Sequence, residues 1–552
     1  MSRPITAVAA ERLWSMDPGD IKDFSRRMKE FHCRMLLTSS KTVIPKVKQY
    51  VTQYHTCRIS KSLDIKHDYT SCYILEDALK RFVLRLERTQ EESFSLLPDS
   101  CKVTTIQIDI SGGCNEESVK LWPSDSMKES YMVNISEGII HIQSDEIWGT
   151  LHALETVLQL VSRSANYQNA IYECSIEDSP RFPHRGMMID TARHYLSTET
   201  IKNVIAALSM VKMNVLHWHM TDDESFPYVS SVYPELSSKG AYHAHSYVYE
   251  RDEIDSLVEF ARLHGVRVIV EFDSPDEEYF DCSVITSYYS PCHTGSWGKS
   301  HPEILSDVSY DQGLINPVDE NVWPFLSNLF GEVLKVFPDN VLHLGGSNYD
   351  RHPWQEDANI QEFMKQKGFD QDYNKLENYY FEHLTEVIQN ITSGSHSVTP
   401  VVWQNVFENG FRDNDKNIII QVHNNSYWED VIDLVTSSGY RVINSACWSK
   451  VVGNFGDAWK TLYDCDPAVF GGSEEEVQLV IGGEVIIWGT YVDDTNLFLR
   501  SWPITAVAAE RLWLIDAGDF HDFSKRLKKL HCQMILLNWN VKPFTGPGFC
   551  RK

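Results

Sequence analysis

After residue 183 the chain repeats one pattern: a short apolar run, then a stretch with apolar residues three and four apart. The apolar runs are RGMMID, MNVLHWHM, GVRVIVEFD, DNVLHLGG, VTPVVWQ, NIIIQVH, RVINSA and EVIIWG. Between several of them lie TIKNVIAALSMVK, DEIDSLVEFARLHG and VWPFLSNLFGEVLKVF, whose spacing predicts amphipathic helices. Strands buried on both faces read as continuous apolar runs, and parallel neighbours need a helical crossover between them. Repeated eight times, the pattern predicts an α/β fold, a (β/α)8 TIM barrel, with a doubly wound sheet as the alternative.

Upstream, over about residues 70–165, ILEDALKRFVLRL and WGTLHALETVLQLV read as helices, and TTIQIDIS and GIIHIQS as alternating strands. This predicts a small α+β domain before the barrel, with a polar stretch ahead of it. An internal repeat complicates the start: Pro4–Trp14 recurs unchanged as Pro503–Trp513, and DFSRRMKEFHCRM is echoed by DFSKRLKKLHCQM. One reading is that Met1 begins inside the tail of a preceding copy, in a tandem array or a mis-assembled gene. The other is that the first copy packs as an extra helix. The organisation expected is therefore a partial repeat at 1–60, an α+β domain at 61–182 and the barrel at 183–552.

A net charge of −27 argues against nucleic acid or an anionic membrane surface as partner. No run of about 18 apolar residues occurs, so no transmembrane helix is expected. Twelve cysteines and three N-x-S/T sequons, at Asn134, Asn390 and Asn424, lean toward an oxidising compartment. The N-terminus lacks the apolar core of a signal peptide and leans the other way.

Barrel strands end at the active-site face. The ends here carry Asp190, Arg193, His217, His219, Asp222, Asp223, Glu271, Asp273, His343, Trp403, Trp448 and Trp488. Indole faces stack on pyranose rings while carboxylates and arginine take the hydroxyls, so the set suits a sugar cleft; each tryptophan alone would suit a core. His217 and His219, two apart on one strand with no third ligand, are a weak metal signal, and no metal or cofactor is expected.

At these residues a resemblance becomes specific. IDTARHYL, NVLHWHMTDDESFPYVSSVYPELSSKG, ARLHGVRVIVEFDSP, VFPDNVLHLGG and the IWGTYVD…AERLW region follow the signature blocks of eukaryotic lysosomal β-N-acetylhexosaminidases of glycoside hydrolase family 20, in order, from about Cys72 to Cys550. The resemblance implies release of terminal GlcNAc or GalNAc from glycoconjugates, with the substrate's acetamido oxygen as nucleophile. It implies a lysosomal or secreted protein, N-acetylhexosamine-terminated glycans as ligands, and a homo- or heterodimer with a paralogue. It also implies the disulfides Cys72–Cys114 and Cys532–Cys550; the family's third pair has no cysteine at either matching place.

The family motif H-x-G-G-D-E reads His343-Leu344-Gly345-Gly346-Ser347-Asn348 here. In the family the Asp steadies the charged oxazolinium intermediate and the Glu is the general acid and base, so Ser347 and Asn348 imply lost chemistry. Three binding positions also differ: Ser449 replaces the acetamide-contacting Tyr, His423 a Trp, and Thr490 the hydroxyl-binding Glu. The loop whose histidine relays to the catalytic Glu is split by residues 276–289, with His293 at the family position. Arg193, Asp222, Trp403 and Trp488 survive. Asp350, Asp222 and Glu224 are the nearby candidates for a substitute acid, a rescue that would need placement to about half an ångström.

Overall fold

The computed structural model describes residues 43–88, 101–163, 169–275, 296–297, 301, 305, 314–347, 351–393, 397–413, 415–424, 426–449, 459–516, 518–543 and 550. The first copy of the repeat, the insertion at 276–289, His293, Asn348 and Asp350 lie outside them.

The N-terminal unit is a six-stranded mixed sheet. Its strands are β1 (Gln49–Lys66), β2 (Lys102–Ile110), β3 (Tyr131–Ser136), β4 (Ile139–Ser144), β5 (Ser162–Arg163) and β6 (Asn169–Asp178), in the order β1-β2-β4-β3-β6-β5. β1 also pairs antiparallel with β6, so its edge is covered. Helices α1 (Tyr73–Arg88) and α2 (Ile147–Leu160) pack on this unit. Expected strands TTIQIDIS and GIIHIQS are β2 and β4, whose alternating burial puts Ile106, Ile108, Ile140 and Ile142 inside. The segment read as a polar stretch is the 18-residue β1, and its span carries the sheet across the boundary expected at residue 60. Cys57 and Ile59 are in the core and Tyr50, Leu63 and Ile65 pack against it, but polar residues are interspersed among them, so hydrophobicity alone does not reveal the strand.

From residue 184 the chain forms a closed barrel of eight parallel strands: β7 (His184–Asp190), β8 (Val215–Thr221), β9 (Arg267–Ser274), β10 (Val341–Gly345), β11 (Thr399–Trp403), β12 (Ile419–Val422), β13 (Arg441–Asn444) and β14 (Val480–Ile487). Each corresponds to one of the eight apolar runs. The outer helices include α3 (Thr198–Met210), α4 (Arg251–Leu263), α5 (Val322–Val336), α6 (Tyr373–Thr392), α7 (Trp428–Ser437), α8 (Ile504–Trp513) and α9 (Phe520–Leu536). Their starts are chemically marked: Ser197 accepts the Thr200 N–H ahead of α3, and Glu250 and Glu253 form a capping box on α4. The C-terminal copy of the repeat is α8 and α9, tied together by the buried Glu510–Arg526 ion pair. Trp513 at the end of α8 donates to Asp178 of β6 at 2.9 Å, which joins barrel and sheet.

Four disulfides are present among the described residues. Cys72–Cys114 and Cys532–Cys550 are the pairs the resemblance implies; Cys57–Cys101 and Cys447–Cys465 were not anticipated. The first of these ties β1 to the residue before β2. No described helix is long and apolar enough to cross a membrane.

Candidate functional site

Barrel strands point alternate side chains inward, and here several inward positions are charged. A charge removed from water must be paired. Glu484 of β14 accepts from His184 Nε2 at 2.7 Å, His217 Nδ1 at 2.9 Å and Gln421 Nε2 at 2.8 Å. Glu271 of β9 is shared between His217 Nε2 at 3.0 Å and His219 Nδ1 at 2.5 Å, and its other oxygen accepts from Trp403 Nε1 at 2.6 Å. His219 Nε2 continues to Asp222 at 2.7 Å. Asp222 pairs with Arg193 Nη2 at 2.7 Å, and Arg193 Nη1 donates to Asp190 at 2.9 Å. An unbroken run of hydrogen bonds and ion pairs therefore climbs from the start of β7 to the barrel mouth; at its foot burial lowers the His184 pKa, so that ring is a neutral partner of Glu484.

The two histidines of β8 are charged. Burial opposes the proton on His217, but Glu484 and Glu271 outweigh it and raise its pKa to about 9. Burial is likewise overcome at His219, chiefly by Glu271 and Asp222, and its pKa is held well above the usual value. Glu271 is buried too, yet its histidine neighbours hold its carboxyl well below the ordinary range. His343 differs. Its Nδ1 lies 3.2 Å from Glu271 but accepts the Gly345 N–H at 3.0 Å, and burial, with His217 adding, lowers its pKa to about 3. It is a neutral ring, and that contact is not an ion pair.

The end of β10 is built otherwise. Gly345 and Gly346 have φ of 79° and 81°, in the left-handed region that side chains disfavour. A Cβ on Gly345 would lie 1.9 Å from Asp273 Oδ1, and one on Gly346 2.2 Å from Val406 Cγ2. The glycine pair is thus required by packing, whatever follows it. Gly346 N–H donates to Asp273 at 2.8 Å and Ser347 Oγ donates to its other oxygen at 2.7 Å. Burial, followed by the charges of Glu271 and Asp222, lifts the Asp273 pKa to about 7.

Of the remaining expected residues, Arg193 is buried and stacks on the half-buried Trp488, its guanidinium 4.8 Å from the ring centroid. Trp403 is fully buried, 5.9 Å from Trp488 between ring centroids. His423 stands edge-on to Trp403 at 4.9 Å, and burial lowers its pKa to about 4. Ser449 donates weakly to the Ala446 carbonyl at 3.4 Å, and Thr490 sits in a short 3₁₀ turn, Gly489–Tyr491, after β14. Trp448, grouped with the strand-end tryptophans in the sequence, is a core residue: it is fully buried and packed against Gly483. His217 and His219 converge on one oxygen of Glu271 and are held as its ion-pair partners. Glu484 went unnoticed in the sequence. The signal available was a lone acidic residue inside an apolar barrel strand, which must find a cation there.

Residues 182–515 match the glycosyl hydrolase family 20 catalytic domain, and residues 36–160 match the beta-acetyl hexosaminidase like domain. Among similar proteins, the human beta-hexosaminidase subunit beta is 36% identical over 491 residues, covering 87% of this chain and 83% of its own. The bovine beta-hexosaminidase subunit alpha is 35% identical over 526 residues, covering 92% of each. Among solved structures, the Flavobacterium johnsoniae chitobiase superposes with a TM-score of 0.73 at 23% identity, over 91% of this chain and 74% of that one. The Vibrio harveyi exo beta-N-acetylglucosaminidase in complex with N-acetylglucosamine gives 0.72 at 21%, over 92% and 79%. At those identities the structures speak for the fold, while the sequence matches speak for the family. With the family domain covering most of the barrel and both subunit types aligning along nearly the whole chain, this protein belongs to glycosyl hydrolase family 20 and is β-hexosaminidase-like.

Proposed function

We propose that this chain is a sugar-binding family 20 protein that has lost glycoside hydrolysis. The observation that carries the reading is the H-x-G-G-Ser-Asn motif at the end of β10. Asn348 has no proton to give a glycosidic oxygen, and Ser347 offers a hydroxyl where a carboxylate would face a developing cation. General acid catalysis is typically worth about 10²–10⁴-fold, and a preorganised charge about 10²–10³-fold more. Groups suited to binding remain: Arg193 stacks on Trp488 and is held by Asp222. The ligand is a glycan ending in an N-acetylhexosamine.

A second reading keeps hydrolysis through another acid. It is favoured by two carboxyls, Asp273 and Glu224, whose pKa values are raised to about 7, the range a general acid needs. Against Asp273, both its oxygens are occupied and it is buried. The reading includes assembly with a second subunit, its own or a paralogue's, which the relatives' subunit names support, in the lysosome or outside the cell. Four disulfides and exposed asparagines at all three sequons support that setting.

The test pairs two measurements on purified protein. Methyl N-acetyl-β-glucosaminide should bind saturably by calorimetry, and 4-methylumbelliferyl N-acetylglucosaminide should release no fluorophore above buffer. Since loss of the acid alone removes about 10²–10⁴-fold, turnover within about tenfold of an ordinary family enzyme would sink the reading.

A further inference from the structure

Glu224 sits on the tight turn Asp222–Ser225, whose ends exchange backbone hydrogen bonds of 3.3 and 3.2 Å. That turn fixes the Glu224 side chain beside Arg193. The guanidinium is already committed: Nη1 to Asp190 at 2.9 Å and Nη2 to Asp222 at 2.7 Å. Its Nε lies 3.6 Å from Glu224 Oε1, too far for a hydrogen bond. The other oxygen, Oε2, is buried and has no hydrogen-bond partner. Three carboxyls thus compete for one cation, and Glu224 is the one left over.

We propose that Glu224 is a ligand-binding residue of this site, its unpartnered oxygen taking a hydroxyl of the pyranose that rests on Trp488. A sugar hydroxyl is the matching partner because it both donates and accepts, as a protonated carboxyl does. The surroundings set the charge state. The groups facing Glu224 among the described residues are Asp222 and Asp190, the Arg193 guanidinium, and Tyr242, whose hydroxyl is spent on the Arg193 carbonyl at 3.0 Å. Burial, then Asp222, raise the carboxyl's pKa to about 7 against the pull of Arg193. Binding should therefore strengthen as the pH falls through 7, and an anionic sugar gains nothing from an arginine already doubly paired. The inference rests on the sugar-binding reading.

The experiment is calorimetric titration of the full chain with methyl N-acetyl-β-glucosaminide at pH 5 and pH 8, for the wild type, Glu224→Gln and Glu224→Ala, each checked for folding by thermal melting. If only the protonated form binds, a group titrating near 7 makes wild-type affinity about tenfold higher at pH 5. Glu224→Gln, which keeps a donor and an acceptor, should bind equally at both pH values. Glu224→Ala should be weaker at pH 5 by about two- to tenfold, the worth of one hydrogen bond, and should also lose the pH dependence. Wild-type behaviour in Glu224→Ala, or an undiminished pH dependence in Glu224→Gln, overturns the proposal. Should the alanine variant fail to fold, the glutamine variant alone decides it through the pH dependence. Absence of wild-type binding at both pH values removes the sugar-binding reading itself, and this proposal with it.

Discussion

On one side of the barrel mouth, Arg193, Asp190, Asp222 and His219 sit at the top of a run of hydrogen bonds and ion pairs that reaches the start of β7. On the other, at the end of β10, the chain offers a serine hydroxyl bonded to Asp273, followed by an asparagine. The first set is anchored twice over. Removing any member strands a buried charge belonging to its neighbour, so the fold itself holds these residues in place. In the second set Ser347 is bonded to Asp273, and the backbone turn around it depends on Gly345 and Gly346. On the reading proposed above, a catalytic pair is lost more readily than an arginine wired into the barrel by buried ion pairs.

The contrast is open to attack at several depths. The largest effect expected is Glu271→Ala: His217 and His219 lose a shared counter-ion and Trp403 its acceptor, and breaking a buried ion pair costs about 3–5 kcal/mol. A chemical denaturation shift of less than about 1 kcal/mol would show that the run of charges is not structural. Next comes pH. The His217 pKa is raised from 6.5 to about 9 in the folded state, so its contribution is fully present below about 6.5 and is lost as pH rises through 9. Melting temperature should fall between those limits, and replacing His217 with Gln should flatten that part of the profile. A wild-type profile level from pH 6.5 to 9.5 would mean the ring is neutral. The smallest effect belongs to Ser347→Ala, which removes one half-buried hydrogen bond and should cost about 1 kcal/mol or less. A loss as large as that of Glu271→Ala would erase the difference between the two sides.

The barrel was legible because its strands are apolar on both faces and its helices amphipathic, so period and length identify both. β1 was not, because polar residues are interspersed among its inward ones and break the apolar pattern. In the site, the residue types at strand ends were readable one by one, but their wiring was not. His217 and His219, a weak metal signal in the sequence, both bond Glu271, from a strand some fifty residues away in sequence. Glu484 comes from the last strand and meets β7 and β8 only because the barrel closes. Trp448 has the right position in its segment for a sugar platform, yet it turns into the core against Gly483. Its direction depends on the 3₁₀ turn Ala446–Trp448, which no hydrophobic period encodes.

The central claim, that a folded sugar site has lost only its chemistry, is tested most directly by restoring the pair. Hydrolysis of 4-methylumbelliferyl N-acetylglucosaminide should be undetectable in the wild type and measurable in the Ser347→Asp, Asn348→Glu double variant, with its thermal melting unchanged. Efficient turnover by the wild type would contradict the account. Silence in a folded double variant would contradict it as well, by showing that the changes at Ser449, His423 and Thr490 have removed the site along with the acid.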